Sequence, residues 1–245
     1  CLDEKMLQKI EAFVYKEAYA ETDKKTYQAM EAFIHNLNTM HSRAGAQVPF
    51  SSINFGTDTS SQGRMVSRNL LLAQEAGLGD GETPIFPILI FKVKEGVNFN
   101  EQDINYDLFK LSCRVSAKRL FPNFSFIDAP FNLQYYKEGH PETEATYMGC
   151  RTRVVGNVCG DEIVTGRGNL SFTTINLPRL GIKHGVVLGG EFDEGGFFDE
   201  LDEKIDAVIE QLLERMVIQG NKKVKNFPFL MGQGVWLGAD KLGAE

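Results

Sequence analysis

Between residues 48 and 127 the chain alternates between two periodicities, and this alternation restricts the fold more than any other feature. Val48–Phe55 is an apolar, β-branched run whose Pro49 suits an edge strand or a strand start, because proline donates no ladder hydrogen bond. Gly56–Gly63 is turn-rich, Arg64–Ala76 has helical spacing, and Gly77 stands where a C-cap belongs. Pro84–Val93 (PIFPILIFKV) is too short for a typical buried helix and reads as a strand. Asp107–Leu120 is a second amphipathic helix, and Phe121–Ile127 a third strand. Strand, helix, strand, helix, strand is the pattern of parallel strands joined by crossover helices. The fold class is therefore α/β, an open sheet or a barrel.

The flanks differ. Leu7, Ile10, Phe13 and Val14 recur at helical spacing, as do Met30, Phe33, Ile34 and Leu37, and Thr22-Asp23 between them reads as a break or N-cap. Two helices are expected before residue 41, packed on the surface or forming a dimer. Residues 129 to 144 read as loop, followed by a turn-flanked segment, Tyr147–Gly156, around one cysteine. Asn157–Gly168 suggests a hairpin or excursion, and Asn169–Asn176 alternates as a half-buried strand does. Pro178 can open a helix, and Phe198–Gln219 is a long one.

Composition excludes several classes. A formal net charge of −7 argues against broad binding to nucleic acid or acidic membrane surfaces, though not against a phosphorylated small molecule. No apolar run reaches the roughly eighteen residues of a membrane span, and no signal sequence opens the chain. The four cysteines, at positions 1, 113, 150 and 159, form no C-x-x-C pair, so no structural zinc site is expected and a reducing cytoplasm is the compartment inferred. The chain opens at Cys1 directly into helical sequence and ends in Leu-Gly-Ala-Glu; both ends read as cut from a longer protein.

Among candidate residues, Cys150 follows a glycine and precedes Arg-Thr-Arg, and Arg151 and Arg153 would favour a thiolate. A lone cysteine is more often just a small buried apolar residue. Nucleophilic catalysis would need a histidine base, and none of His35, His41, His140 or His184 has a spacing that recommends it. A one-electron thiol needs no base, only a dry position near the hydrogen it abstracts. Gly166–Asn169 would let bare backbone and an amide approach a ligand, or simply form a turn. The loop from Ser42 to Gln47, with Arg43, mixes a cation, an amide and flexible residues; alone it reads as a connector. Thr57–Gly63 lacks the P-loop form. The acidic stretches Glu191–Glu194 and Asp199–Glu203 read as solvated or as a helix N-terminus.

Taken in order, Gln47–Asp58 (QVPFSSINFGTD), Gly81–Pro87 (GETPIFP), Phe121–Phe126 (FPNFSF), Met148–Arg153 (MGCRTR), Gly166–Phe172 (GRGNLSF) and Asn176–Arg179 (NLPR) resemble the large subunit of anaerobic (class III) ribonucleoside-triphosphate reductases. The resemblance implies part of a ten-stranded α/β barrel with a finger loop, of the ribonucleotide reductase and glycyl-radical enzyme type. Residues 1–40 would then lie at the dimer and effector region, 41–180 would supply barrel strands and the finger loop, and 181–245 a helix and later barrel segment. It implies that Cys150 becomes the thiyl radical that takes the ribose 3′ hydrogen. Asn169 would hydrogen-bond the ribose or formate, the reductant that the resemblance implies. Ser42, Arg43 and Gln47 would lie in the loop that reports the bound effector, ATP or a deoxynucleotide, to the substrate site. Implied partners are a second copy of the chain and a radical S-adenosylmethionine activating protein with an iron–sulfur cluster.

The family's glycyl radical lies in a C-terminal Arg-x-x-Gly-Tyr-like loop near a four-cysteine zinc site, and neither motif occurs in these residues. The segment alone is therefore expected not to turn over, and its open sheet edges are expected to promote association. Two rival readings stand beside this one. A different glycyl-radical enzyme would carry adjacent cysteines, where Cys150 has glycine and arginine as neighbours. A nucleotide-binding or dimerisation module would bind effector without turnover.

Overall fold

The structure, a computed structural model, describes residues 4–40, 48–149, 152–156 and 160–233. The chain divides into two compact units, Cys1–Thr165 and Gly166–Glu245.

The first unit is built on a parallel sheet of three strands, β1 (Ser52–Phe55), β2 (Ile88–Val93) and β3 (Asn123–Phe126), in that order. Crossovers α2 (Ser61–Ala76) and α3 (Tyr106–Arg119) connect them. The expected alternation and the parallel pairing are both present, and Pro49 precedes β1, which has one strand neighbour among the described residues. Local chemistry sets the helix ends. Ser60 accepts from the Gly63 N–H to start α2, and the Gly77 N–H closes it on the Ala73 carbonyl. The buried Arg119 guanidinium then donates to the Glu75 and Ala76 carbonyls, placing a cation at the negative end of α2.

Side chains alternate across a strand, so the register sorts the sheet into two faces. Ile53, Phe55, Leu89, Phe91, Val93 and Phe124 form one, packed under Leu70 and Ala73 of α2 and Leu108 and Phe109 of α3. Phe91 is fully buried, with Phe55 and Phe124 edge-on at 5.4 and 6.2 Å. Ser52, Asn54, Ile88, Ile90, Lys92, Asn123 and Ser125 occupy the opposite face by the same register. Both crossovers thus cover one side, and the other, more polar side meets Leu37, Val48, Phe121 and Tyr147.

The N-terminal region departs from expectation. Residues Glu4–Thr39 form one helix, α1, with no break at Thr22-Asp23. The Thr22 hydroxyl donates back to the Ala18 carbonyl, and Asp23 accepts from Asn69 and pairs with Arg68 of α2. Residues that resemble a cap therefore serve the α1–α2 contact. The C-terminal half of α1 packs on the sheet and α2 through Tyr27, Met30 and the buried Ile34.

After β3, the stretch expected as loop contains a short helix α4 (Pro130–Leu133), and β4 (Thr146–Met148) pairs antiparallel with β5 (Thr152–Val154). The second unit holds α5 (Leu177–His184) and α6 (Glu194–Gly220). Pro178 stands in the first turn of α5 as expected, with Asn176 as its cap. Residues 169–176 are not a strand: they have no strand partner among the described residues, and Leu170 and Phe172 are exposed. No helix among the described residues is long and apolar enough to cross a membrane.

Candidate functional site

The β4–β5 hairpin brackets residues 150 and 151, and three sets of contacts hold it. On one side, β4 lies along side chains of β1. The Tyr147 N–H donates to Asn54 Oδ1 at 2.9 Å and Asn54 Nδ2 donates to the Tyr147 carbonyl at 2.7 Å, so one amide side chain reproduces a strand's two-bond pairing. Two residues on, the Gly149 N–H donates to Ser52 Oγ at 3.0 Å. Ser52 and Asn54 share the polar face of the sheet, which places the hairpin on that face, opposite the helices.

On the other side, Arg153 of β5 donates to the Phe131 carbonyl at 3.2 Å and to Asn132 Oδ1 at 3.3 Å, and stacks over the Phe131 ring. Asn132 in turn donates to the Phe126 carbonyl at the end of β3. The sequence suggests Arg153 as a cation beside the thiol that favours thiolate. In the structure its guanidinium hydrogen-bonds α4, and Cys150 lies outside the described residues.

The third anchor is a buried charge cluster at the base. Glu144, two residues before β4, accepts from Lys92 at 3.0 Å and from Lys94 at 2.9 Å. Its side chain is 8% exposed, and those of Lys92 and Lys94 are 12% and 22% exposed. Burial disfavours the Glu144 carboxylate, but the Lys92 and Lys94 ammoniums outweigh it and hold the carboxyl below its ordinary range. Burial likewise opposes the Lys94 charge, and Glu144 and Tyr136 overcome it, raising the ammonium above its ordinary value. Lys94 also sits 4.4 Å over the Tyr136 ring. Sequence reasoning passes over this cluster. A lysine pair two apart at the end of an otherwise apolar strand is the available signal, since two cations on one face of a buried sheet require a counter-charge.

Gly149 has φ +62, and a Cβ there would come within 3.1 Å of the Phe50 ring. Glycine alone fits this approach without strain. Phe50 also meets Phe86 edge-on at 4.9 Å, so the end of β4 rests on an aromatic pair. Nearby on the same polar face, Ser125 is 4% exposed and its hydroxyl has no partner among the described residues.

Of the site residues read from sequence, Cys150, Ser42, Arg43 and Gln47 lie outside the described residues. Asn169 is exposed in irregular backbone of the second unit. That unit has a polar cluster of its own, in which Glu200 accepts from Lys183 at 2.6 Å and meets His184 Nε2 at 2.7 Å. The Lys183 bond and then the His184 contact hold the Glu200 carboxyl at about 2. The acidic stretch 199–203 is thus not wholly solvated, whereas Asp193 caps α6 as an acidic helix start should. Among the described residues no group of His, Cys, Asp and Glu could hold a metal ion.

Comparison with known proteins gives the chain its relatives. The family model described as anaerobic ribonucleoside-triphosphate reductase matches residues 4–244. The enzyme of that name from Enterobacteria phage T4 is 36% identical over 222 residues, which cover 89% of this chain and 35% of the phage protein. The Escherichia coli K12 reductase is 32% identical over 220 residues, covering 89% of this chain and 29% of its own length. The Salmonella typhimurium reductase is 31% identical over 220 residues with the same coverage. The chain thus spans about a third of the length of these relatives, 35% and 29% of them. It belongs to the anaerobic ribonucleoside-triphosphate reductase family.

Proposed function

We propose that this chain is the segment of an anaerobic reductase that holds the radical thiol over the ribose, with Cys150 at the tip of the finger loop. The observation that carries the reading is the hairpin around Cys150. It is seated on the polar face of a parallel sheet whose crossover helices all lie on the other face. Helices outside and a loop inside is how a barrel wall is organised, and it supports the ten-stranded barrel with a finger loop.

In this reading the Cys150 sulfur radical takes the hydrogen from ribose C3′, forming S–H as C–H breaks. The 2′ hydroxyl then leaves as water, and formate supplies the two reducing equivalents and departs as carbon dioxide. Asn169 orients the ribose or the formate through its amide, and the loop with Ser42, Arg43 and Gln47 reads the effector nucleotide. The glycyl radical, its activating protein and the zinc site are further parts of the proposed enzyme. The described residues hold no ligand set for zinc, and no step here runs through it. The test is turnover: a whole reductase carrying this segment, once activated anaerobically, converts ribonucleoside triphosphate to the deoxy form with formate consumed in equal amount. Failure on all four ribonucleotides would overturn the reading.

A homodimer belongs to the same proposal. The N-terminal half of α1 presents Leu7, Ile10, Phe13 and Val14, all exposed at 45% to 63%, along one side of the helix. Such a stripe is an association surface. Val14→Asp places a charge in its middle and is expected to weaken dimerisation of the whole reductase at least tenfold, read by sedimentation velocity. An unchanged dimer constant would remove this surface from the interface.

A further inference from the structure

We infer that Asn54 and Ser52 are positioning residues for the thiol, a side-chain ladder on β1 that fixes the register of β4, the strand that leads into Cys150; the inference rests on the proposed role of Cys150. The geometry is specific. Tyr147 lies opposite Arg153 in the hairpin, and its own N–H and carbonyl are taken by Asn54 rather than by a third strand. The Gly149 N–H, the last described donor before Cys150, is taken by Ser52. These partners lie 93 and 97 residues apart in sequence, and Ser52 and Asn54 sit two apart on one strand, one pleat repeat. The ladder therefore reads β4 in a single register. A shift of β4 by one residue would present the wrong backbone atoms to both side chains.

A hydrogen abstraction depends on sulfur-to-hydrogen distance far more than on substrate affinity, and a misplacement of about 1 Å can cost about a hundredfold. Neither Asn54 nor Ser52 need touch the substrate to matter. Asn54 also differs from an apolar strand residue in a useful way: an amide both donates and accepts, whereas aspartate in its place would keep only the acceptor toward Tyr147.

The variants Asn54→Asp, Ser52→Ala and Ser52→Thr separate a positioning role from a merely structural one. In a whole reductase carrying this segment, amide hydrogen exchange is expected to speed up at least tenfold at Gly149 in Ser52→Ala and to stay near native in Ser52→Thr, which keeps the hydroxyl. Exchange at Phe91 in the core should remain unchanged in all three. In a whole reductase, Asn54→Asp and Ser52→Ala are expected to lower kcat about tenfold or more with KM within twofold, and Ser52→Thr to recover most of it. Two results overturn the inference: kcat within twofold of native despite lost protection at Gly149, or KM rising with kcat unchanged, which would make these residues substrate ligands. Should Asn54→Asp lose core protection, the Ser52 pair of variants carries the same test alone. A reductase indifferent to Cys150 would instead sink the functional reading and leave the exchange result standing.

Discussion

A whole reductase that carries this segment with Cys150→Ser is expected to make no deoxynucleotide above background, while nucleotide binding stays within about threefold of native. The expectation rests on bond strength. A hydroxyl hydrogen is held far more tightly than a thiol hydrogen, so an oxygen radical at this position is not formed by exchange with a partner suited to sulfur. An added barrier of about 5 kcal/mol already removes about four orders of magnitude in rate. Serine differs from cysteine by a single atom, oxygen for sulfur, so binding has no reason to change. The rival is a two-electron thiolate, which needs a cation and a base beside the sulfur rather than a radical partner. Anaerobic assays with product separated by chromatography, run beside equilibrium dialysis, decide the matter. Residual reduction by the serine variant above about one part in a thousand, or about 4 kcal/mol of barrier, excludes the radical assignment.

The alternation of strand and helix between residues 48 and 127 was legible because both signals are local. The alternation that puts Leu89, Phe91 and Val93 on one face and the capping of α2 by Ser60 and Gly77 are set by residues close in sequence. Two misreadings show where that locality stops. Thr22-Asp23 has the composition of a cap, yet Asp23 is claimed by Asn69 and Arg68 on another helix, and the backbone continues helical. Residues 169–176 alternate as a strand does, but a strand exists only with a hydrogen-bonding neighbour, and none is described beside it. Alternation records a preference for a two-faced environment; the environment itself has to come from elsewhere in the chain.

The site divides in the same way. Cys150 and Asn169 stand out through the order of motifs along the chain, which carries family membership rather than geometry. The residues that hold the hairpin escape notice because each is ordinary in its own neighbourhood. Asn54 in a strand is merely a poor strand former, and Glu144 at the end of a loop is merely charged. Their roles arise from partners 50 to 93 residues away. A polar residue in a strand that is otherwise buried is the feature to question in a sequence, because burial demands a partner.

Glu144→Gln is expected to cost this chain about 3 kcal/mol of stability at neutral pH, measured by urea denaturation. The amide keeps the shape and one acceptor but leaves the Lys92 and Lys94 ammoniums without a counter-charge in a site where the carboxylate side chain is 8% exposed. Were the cluster an ordinary surface pair, the loss would stay below about 1 kcal/mol. The pH dependence gives a second reading of the same interaction. The Glu144 carboxyl lies below its usual 4.5 in the folded protein, so its contribution is fully present above that value and is lost as the pH falls through the folded value. Lys94 lies above its usual 10.5, so its contribution is present below that value and is lost as the pH rises through the raised one. The gap between native and Glu144→Gln should therefore be flat between about pH 5 and pH 10 and narrow on either side. Replacing Lys92, Lys94 and Glu144 together by apolar residues of similar size should recover most of the loss, because no charge then remains buried alone. The same triple variant should nonetheless loosen the base of the hairpin, read as faster amide exchange at Thr146, since packing without the carboxylate bridge no longer ties Glu144's segment to β2. Stability restored together with native exchange at Thr146 would show that the cluster neutralises charge and does nothing to hold the hairpin.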